Sequence, residues 1–200
     1  MVYLYVYRIA SDTGFAPCAE KGLLSLACCK GGQIRNGKII HTGLRYRIGA
    51  KKDGADYTED DVYVLGTYQD KMLYLAKVTD VVTMEEYFSG RSKGRTDDIY
   101  KMSGGKLVRN NRLREEDVHT DEDRIKKDLA GEYVLLSEDF IYLGVDAVSI
   151  DIVEKYNAVT RETKVYKGET AEQIVAECRK YQDNKVHSPN KPYTKCGGCR

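Results

Sequence analysis

The sequence predicts an α+β fold: a mainly antiparallel curved sheet or partial barrel, with a few short helices and one closing helix. Three observations carry this. Tyrosine is abundant, with 16 Tyr against 3 Phe and no Trp, and half-buried strands suit a ring that packs while its hydroxyl finds a partner. Short runs of Val, Tyr, Leu and Ile recur between turn signals. Only the region around "ETAEQIVAECRKYQ" has a sustained helical period.

Taken in order, Val2–Ile9 alternates as a first strand and ends at Ser11, Asp12 and Gly14. An apolar stretch, Leu23–Cys28, precedes the glycine turn of "CCKGGQIR". "KIIHTGLRYRIG" reads as a strand or an ordered loop, with Arg45 and Arg47 on one face if extended. Val62–Tyr68 and Met72–Val82 form two strands about a turn at Gln69–Lys71. Thr83 and Glu86 have the spacing of a capping box. Ser89–Glu116 reads as one long polar loop, followed by a short helix capped by Thr120 and stopped by Gly131. Strand-like sequence returns on both sides of a turn at Ser137–Asp139. The closing helix has Thr170 and Gln173 as its capping box and Ile174, Val175, Cys178 and Tyr181 on one side. Residues 1–183 are expected to be a single domain and 184–200 a flexible tail containing Cys, Pro and Gly.

The length of 200 residues allows one substantial core. A net charge of +1 argues against coating DNA through an overall field. Residues 1–50 nevertheless hold seven basic against two acidic residues, a local +5 that leaves −4 for the remainder. That asymmetry suits a local anionic ligand. No apolar run matches a membrane span and Arg8 interrupts the opening segment, so the expected setting is cytoplasmic, in a bacterial host cell if a virus encodes the chain. The six cysteines are then expected as thiols or metal ligands.

Lys30, Gly31, Gly32, Gln33 and Arg35 together make a candidate anion cradle. Glycines let amides converge, lysine supplies a point charge and arginine a fork. The spacing is neither that of a P-loop nor that of a dinucleotide fingerprint. Cys28 and Cys29 can be packing residues at a strand end, or Cys29 a nucleophile, which requires a placed base that the sequence does not supply. Cys196, Cys199 and His187 offer three zinc ligands and would need a fourth from elsewhere, such as Cys18 or Cys28. A single C-x-x-C on a glycine-rich tail is a poor signal, so no metal and no cofactor is expected. Asp97 and Asp98 sit beside Arg95 in the long polar segment, where carboxylates commonly cap turns.

The ordered blocks "GFAP" (Gly14–Pro17), "LSLACCKGGQIR" (Leu24–Arg35), "DDVYVLGT" (Asp60–Thr67), "LAKVTDVVTMEEYF" (Leu75–Phe88), "TDDIY" (Thr96–Tyr100) and "VLLSEDFIYLG" (Val134–Gly144) resemble the nucleotide modification associated domains, type two, of bacteria and their viruses. The sequence departs from that pattern where Gly31, rather than proline, follows Lys30, and where Lys38–Tyr57 lengthens the path to the next strand. The resemblance implies an α+β domain linked to modified nucleotides. Separately, the aspartate-led strand followed by the "AKVT" strand resembles, at fold level, the two-strand core of PUA- and EVE-like base-reading barrels. On this basis the expected partner is a nucleotide or modified base, or a short nucleic acid, with no membrane. Lys30 and Arg35 are expected on phosphate, with Arg45 nearby, Tyr100 or Tyr142 stacked on the base and Asp98 at its edge or on the sugar. Two other readings stay open: a viral anti-defence protein that sequesters a nucleotide messenger, and a nucleotide-modifying enzyme using Cys29 or Asp98. Binding is preferred to catalysis.

Overall fold

The computed structural model describes residues 1–9, 12–36, 38–68, 71–110, 122–151 and 163–182, with Ile34 and Arg35 through their backbone alone. The tail 184–200, with His187, Cys196 and Cys199, and the cap expected at Thr120 lie outside the described residues.

The first strand is β1 (Val2–Arg8), an interior strand of a six-stranded sheet. It runs parallel to β6 (Asp61–Tyr68) and antiparallel to β14 (Lys164–Lys167). β6 pairs antiparallel with β7 (Lys71–Lys77), which carries β12 (Asp139–Tyr142) and the short β13 (Val148–Ser149). A four-stranded sheet has the order β2 (Cys18–Glu20), β3 (Leu23–Leu26), β11 (Tyr133–Ser137), β8 (Asp80–Thr83). The fold is thus α+β with mainly antiparallel pairing; β1 and β6 make the parallel exception, and neither sheet closes on itself.

Alternation along β1 explains the layering. Tyr3, Tyr5 and Tyr7 enter a core shared with Leu24, Leu26 and Leu135 of the smaller sheet. Leu4 and Val6 point the other way, against Ala171, Ile174 and Cys178 of the closing helix α4 (Glu169–Arg179). A third cluster, including Cys28, Met84, Tyr87, Phe88 and Tyr100, covers the far side of the smaller sheet.

Several expectations need correction. Met72–Val82 is two strands in two sheets: Val78 N–H donates to Val62 O (2.7 Å) while Thr79 N–H donates to Leu136 O (2.9 Å). The polar residues Lys77, Thr79 and Asp80 fall at the crossing, but Val81 and Val82 resume an apolar pattern, so the sequence reads on as one strand. "GLRYRIG" forms a helix, α1 (Leu44–Gly49), after the strand β5 (Lys38–Thr42), so Arg45 and Arg47 fall on different faces. The long polar segment is ordered where it is described. A π-helical turn (Tyr87–Arg91) leads to a hairpin of β9 (Tyr100–Ser103) and β10 (Lys106–Arg109). Helix α4 starts after Gly168 with no side-chain cap, because Thr170 already lies inside it.

The capping box at Thr83 opens α2 (Met84–Glu86). Thr83 Oγ1 accepts from Glu86 N–H (3.2 Å) and Glu86 Oε2 accepts from Thr83 N–H (2.8 Å). Thr83→Ala should destabilise the protein by about 1 kcal/mol, read by urea denaturation. The Thr83 backbone amide and hydroxyl hold the Glu86 carboxyl below its usual value of 4.5. A depressed carboxylate stabilises the fold above its unfolded value. The contribution is therefore complete above about pH 5 and is lost as pH falls through the folded value.

Candidate functional site

The Cys28–Lys30 turn follows β3, and two adjacent residues there, Cys29 (φ +56°) and Lys30 (φ +50°), take the left-handed conformation. Non-glycine residues are rarely held so unless their surroundings fix them. Cys29 N–H donates to Asp128 Oδ1 (2.7 Å), on α3 (Glu122–Leu129), and Cys29 O accepts from Arg45 Nε (2.8 Å). Arg45 is fully buried and also donates to the carbonyls of Tyr133 (2.6 Å) and Asp128. Asp128 Oδ2 accepts from Tyr100 Oη (2.8 Å). One arginine and one aspartate thus lock the turn to α1, α3, β9 and β11.

Gly31 and Gly43 bring the start of β4 (Gly32–Arg35) against the end of β5. A Cβ on Gly43 would stand 1.9 Å from Lys30 O, and one on Gly31 would stand 2.0 Å from Lys127 O. Both glycines therefore serve close backbone approach. Gly43 N–H donates to Gly31 O (3.2 Å).

Beside this turn opens a cleft of about 600 Å³. Arg8, Lys30, His41 and Arg47 line it with Gln33, Thr42 and Thr163, over a wall that includes Tyr7, Gly32, Gly43 and Leu44. No carboxylate lines it among the described residues. The Lys30 ammonium lies 4.8 Å from the Tyr7 ring centroid and donates to Arg8 O (3.2 Å), which aims it across the cleft wall. Arg47 is oriented by Asp53, at 2.9 and 3.1 Å. A second cavity, about 510 Å³, is lined by Glu85, Glu132 and Lys106 around Met84, Leu107 and Leu129, and so has no single sign of charge.

The residues singled out from sequence divide accordingly. Lys30, Gly32 and Gln33 meet at the cleft, while Gly31 is buried beneath it. The backbone of Arg35 pairs with Lys38 in β4–β5. Arg45 faces inward, its guanidinium held by carbonyls. Tyr100 and Tyr142 are buried, the first stacked edge-on against Phe88 and the second donating to Asp12 (2.8 Å), so neither ring offers a face for stacking. Asp98 accepts from Ser92 Oγ (2.6 Å) and shapes its own turn. Cys28 is buried, and its hydrogen bond with Cys29 together with that burial raises its thiol pKa well above the ordinary range, the opposite of an activated nucleophile. Sequence reasoning missed Arg8, His41 and Arg47, which only the hairpin and α1 bring to one cleft. It also missed Asp128, which looks like any acid on a polar helix.

A second buried polar cluster joins two of the sequence blocks. Arg95 donates to the carbonyls of Cys18 (3.0 Å), Glu20 (2.7 Å) and Leu23 (3.2 Å) and pairs with Asp97 (3.2 Å). Asp97 also accepts from Ser25 Oγ (2.5 Å) and Tyr87 Oη (2.8 Å). The "TDDIY" block is thereby stapled to the β2–β3 hairpin.

The nucleotide modification associated domain 2 model matches residues 1–195. The chain belongs to that family. Neither the curated proteins nor the solved structures give a match. Membership of the nucleotide modification associated domain 2 family ties the chain to nucleotide modification. No helix among the described residues is long and apolar enough to cross a membrane.

Proposed function

We propose that the cleft beside the Lys30 turn binds the phosphate end of a nucleotide or modified nucleotide, in the nucleic-acid modification chemistry of bacteria or their viruses. The observation that carries this reading is the lining: Arg8, Lys30, His41 and Arg47 with no carboxylate among the described residues, in a cleft of about 600 Å³. Ligand sites span roughly 300–1,000 Å³. A lysine aimed by a ring and a carbonyl is partly preorganised for phosphate, and cations facing one cleft attract anions before contact. Membership of a family associated with nucleotide modification supports a nucleotide as the ligand, and the cleft's cations support contact with its phosphate.

Lys30→Ala should weaken nucleotide binding roughly ten- to a hundredfold, the loss of one charge-assisted contact. Calorimetry with a panel of nucleoside phosphates, modified nucleotides, cyclic nucleotides and short oligonucleotides reads this, with the exposed Lys180→Ala as control. No binding tighter than millimolar, or equal affinities for the two variants, would sink the proposal. Preference for free cyclic nucleotides over oligonucleotides would instead favour the sequestering role. New products by mass spectrometry would favour an enzyme.

A further inference from the structure

The cleft's outer wall continues into the β4–β5 hairpin, whose strands pair with each other and with no other strand among the described residues. Every residue of β5 is exposed, and Ile39 and Ile40 keep 49% and 47% of their surface in solvent. Gln33 pairs with His41 and Ile34 with Ile39, so Ile40 is the extra residue of a bulge. The bulge breaks the alternation and sets two isoleucines side by side on the ribbon. The β4 strand packs against α3 and so steadies the ribbon, while β5 is left as its outer strand with two isoleucines in solvent, a surface suited to a partner.

Charge identifies the partner. From Lys21 to Lys52 the chain has eight Lys/Arg and not one Asp or Glu. Arg45 is buried and Arg47 and Lys51 pair with Asp53 and Asp56, so the positive charge offered here is that of Lys38 on the ribbon with Lys30 and Arg8 at the adjoining cleft. Lys38 and His41 are exposed on β5, and Arg8 is exposed at the adjoining cleft. We propose that the β4–β5 ribbon is a contact surface for duplex nucleic acid. B-DNA's major groove, about 12 Å wide, admits a two-stranded β-ribbon. Lys38 meets phosphate at the groove edge, and the isoleucines make apolar contact with base edges such as the thymine methyl. The near-zero net charge limits binding to this ribbon. The proposal goes beyond nucleotide binding in the cleft and does not depend on it.

Fluorescence anisotropy on a labelled duplex of about two helical turns tests it. Binding should saturate at low salt and weaken steeply as salt rises. Lys38→Ala should lower the slope of log affinity against log salt by about one. Ile39→Ser combined with Ile40→Ser should weaken binding at every salt concentration, whereas Lys106→Ala on the β9–β10 hairpin should change nothing. Unchanged mononucleotide calorimetry in the ribbon variants separates this surface from the cleft. Failure to bind duplex at low salt overturns the proposal, as does a Lys38→Ala variant that behaves like Lys106→Ala. So does binding confined to single strands. A dimer by light scattering that Ile39→Ser with Ile40→Ser dissolves, without any duplex binding, also overturns it, because a second copy then covers the ribbon.

Discussion

Replacing Arg95 by methionine should destabilise the protein by about 3–5 kcal/mol, the range for breaking a buried ion pair from one side. The side chain is nearly enclosed, and Asp97 beside it is wholly so. Methionine fills comparable volume but leaves Asp97 buried without its cation, and removes the charged donor from the carbonyls of Cys18, Glu20 and Leu23. Burial already raises the Asp97 carboxyl, with Arg95 pulling it down. Without Arg95 it rises further, and the folded state holds a proton that the unfolded chain has released. The sign follows from linkage: a carboxyl raised on folding supports stability below its unfolded value, near 3.8, and that support is lost as pH rises through the folded value. The deficit of Arg95→Met against wild type should therefore be smallest near pH 4 and grow toward neutrality. Urea denaturation across that range measures it, and a deficit independent of pH would mean that Asp97 is not the group left stranded. Arg95→Met combined with Asp97→Leu should recover part of the loss, since no buried charge then remains.

What could be read from sequence was local. The alternation of Val2–Ile9 and the capping box of Thr83 with Glu86 depend on residues a few positions apart, and both are present. The break in Met72–Val82 depends on which sheet each amide joins, information held by Val62 and Leu136. The β9–β10 hairpin escaped because its exposed residues mix types: Lys101, Ser103 and Lys106 are exposed beside the apolar Met102 and Val108, so no apolar period marks them. At the candidate site, charge pointed to the correct stretch of chain but not to orientation. Arg45 and Arg47 are indistinguishable as letters. A helical turn sends one into the protein and leaves the other on the cleft. The same holds for tyrosine, where abundance signalled strands while the stacking role expected of Tyr100 and Tyr142 met two buried rings.

Arg45→Met should destabilise the fold by about 4 kcal/mol and, where the variant still folds in the cold, abolish selective binding in the cleft. The stability loss follows from its acceptors. Cys29 O and Tyr133 O, at 2.8 and 2.6 Å, lose the guanidinium that reaches them, while Asp128 O keeps its bond from Gly131 N–H (3.0 Å). A buried polar group left unsatisfied costs about 1–3 kcal/mol. Burial lowers the Arg45 pKa, with Asp128 opposing, yet a guanidinium stays protonated and its fork stays charged. Arg45→Lys should rescue little, because a single ammonium cannot span three carbonyls in a plane. Gly131→Ala makes the same point from the other side, since its Cβ would stand 2.3 Å from Arg45 Nη2 and force the fork aside. The effect on binding follows from strain. Cys29 and Lys30 hold left-handed backbone only while Asp128 and Arg45 grip the Cys29 amide and carbonyl. Without that grip the turn relaxes and Lys30 no longer lies over Tyr7. Thermal melts and nucleotide calorimetry on Arg45→Met, Arg45→Lys and Gly131→Ala should move together, stability and affinity falling in the same order. Affinity preserved in a destabilised Gly131→Ala would detach the buried arginine from the cleft and leave it a purely structural clamp.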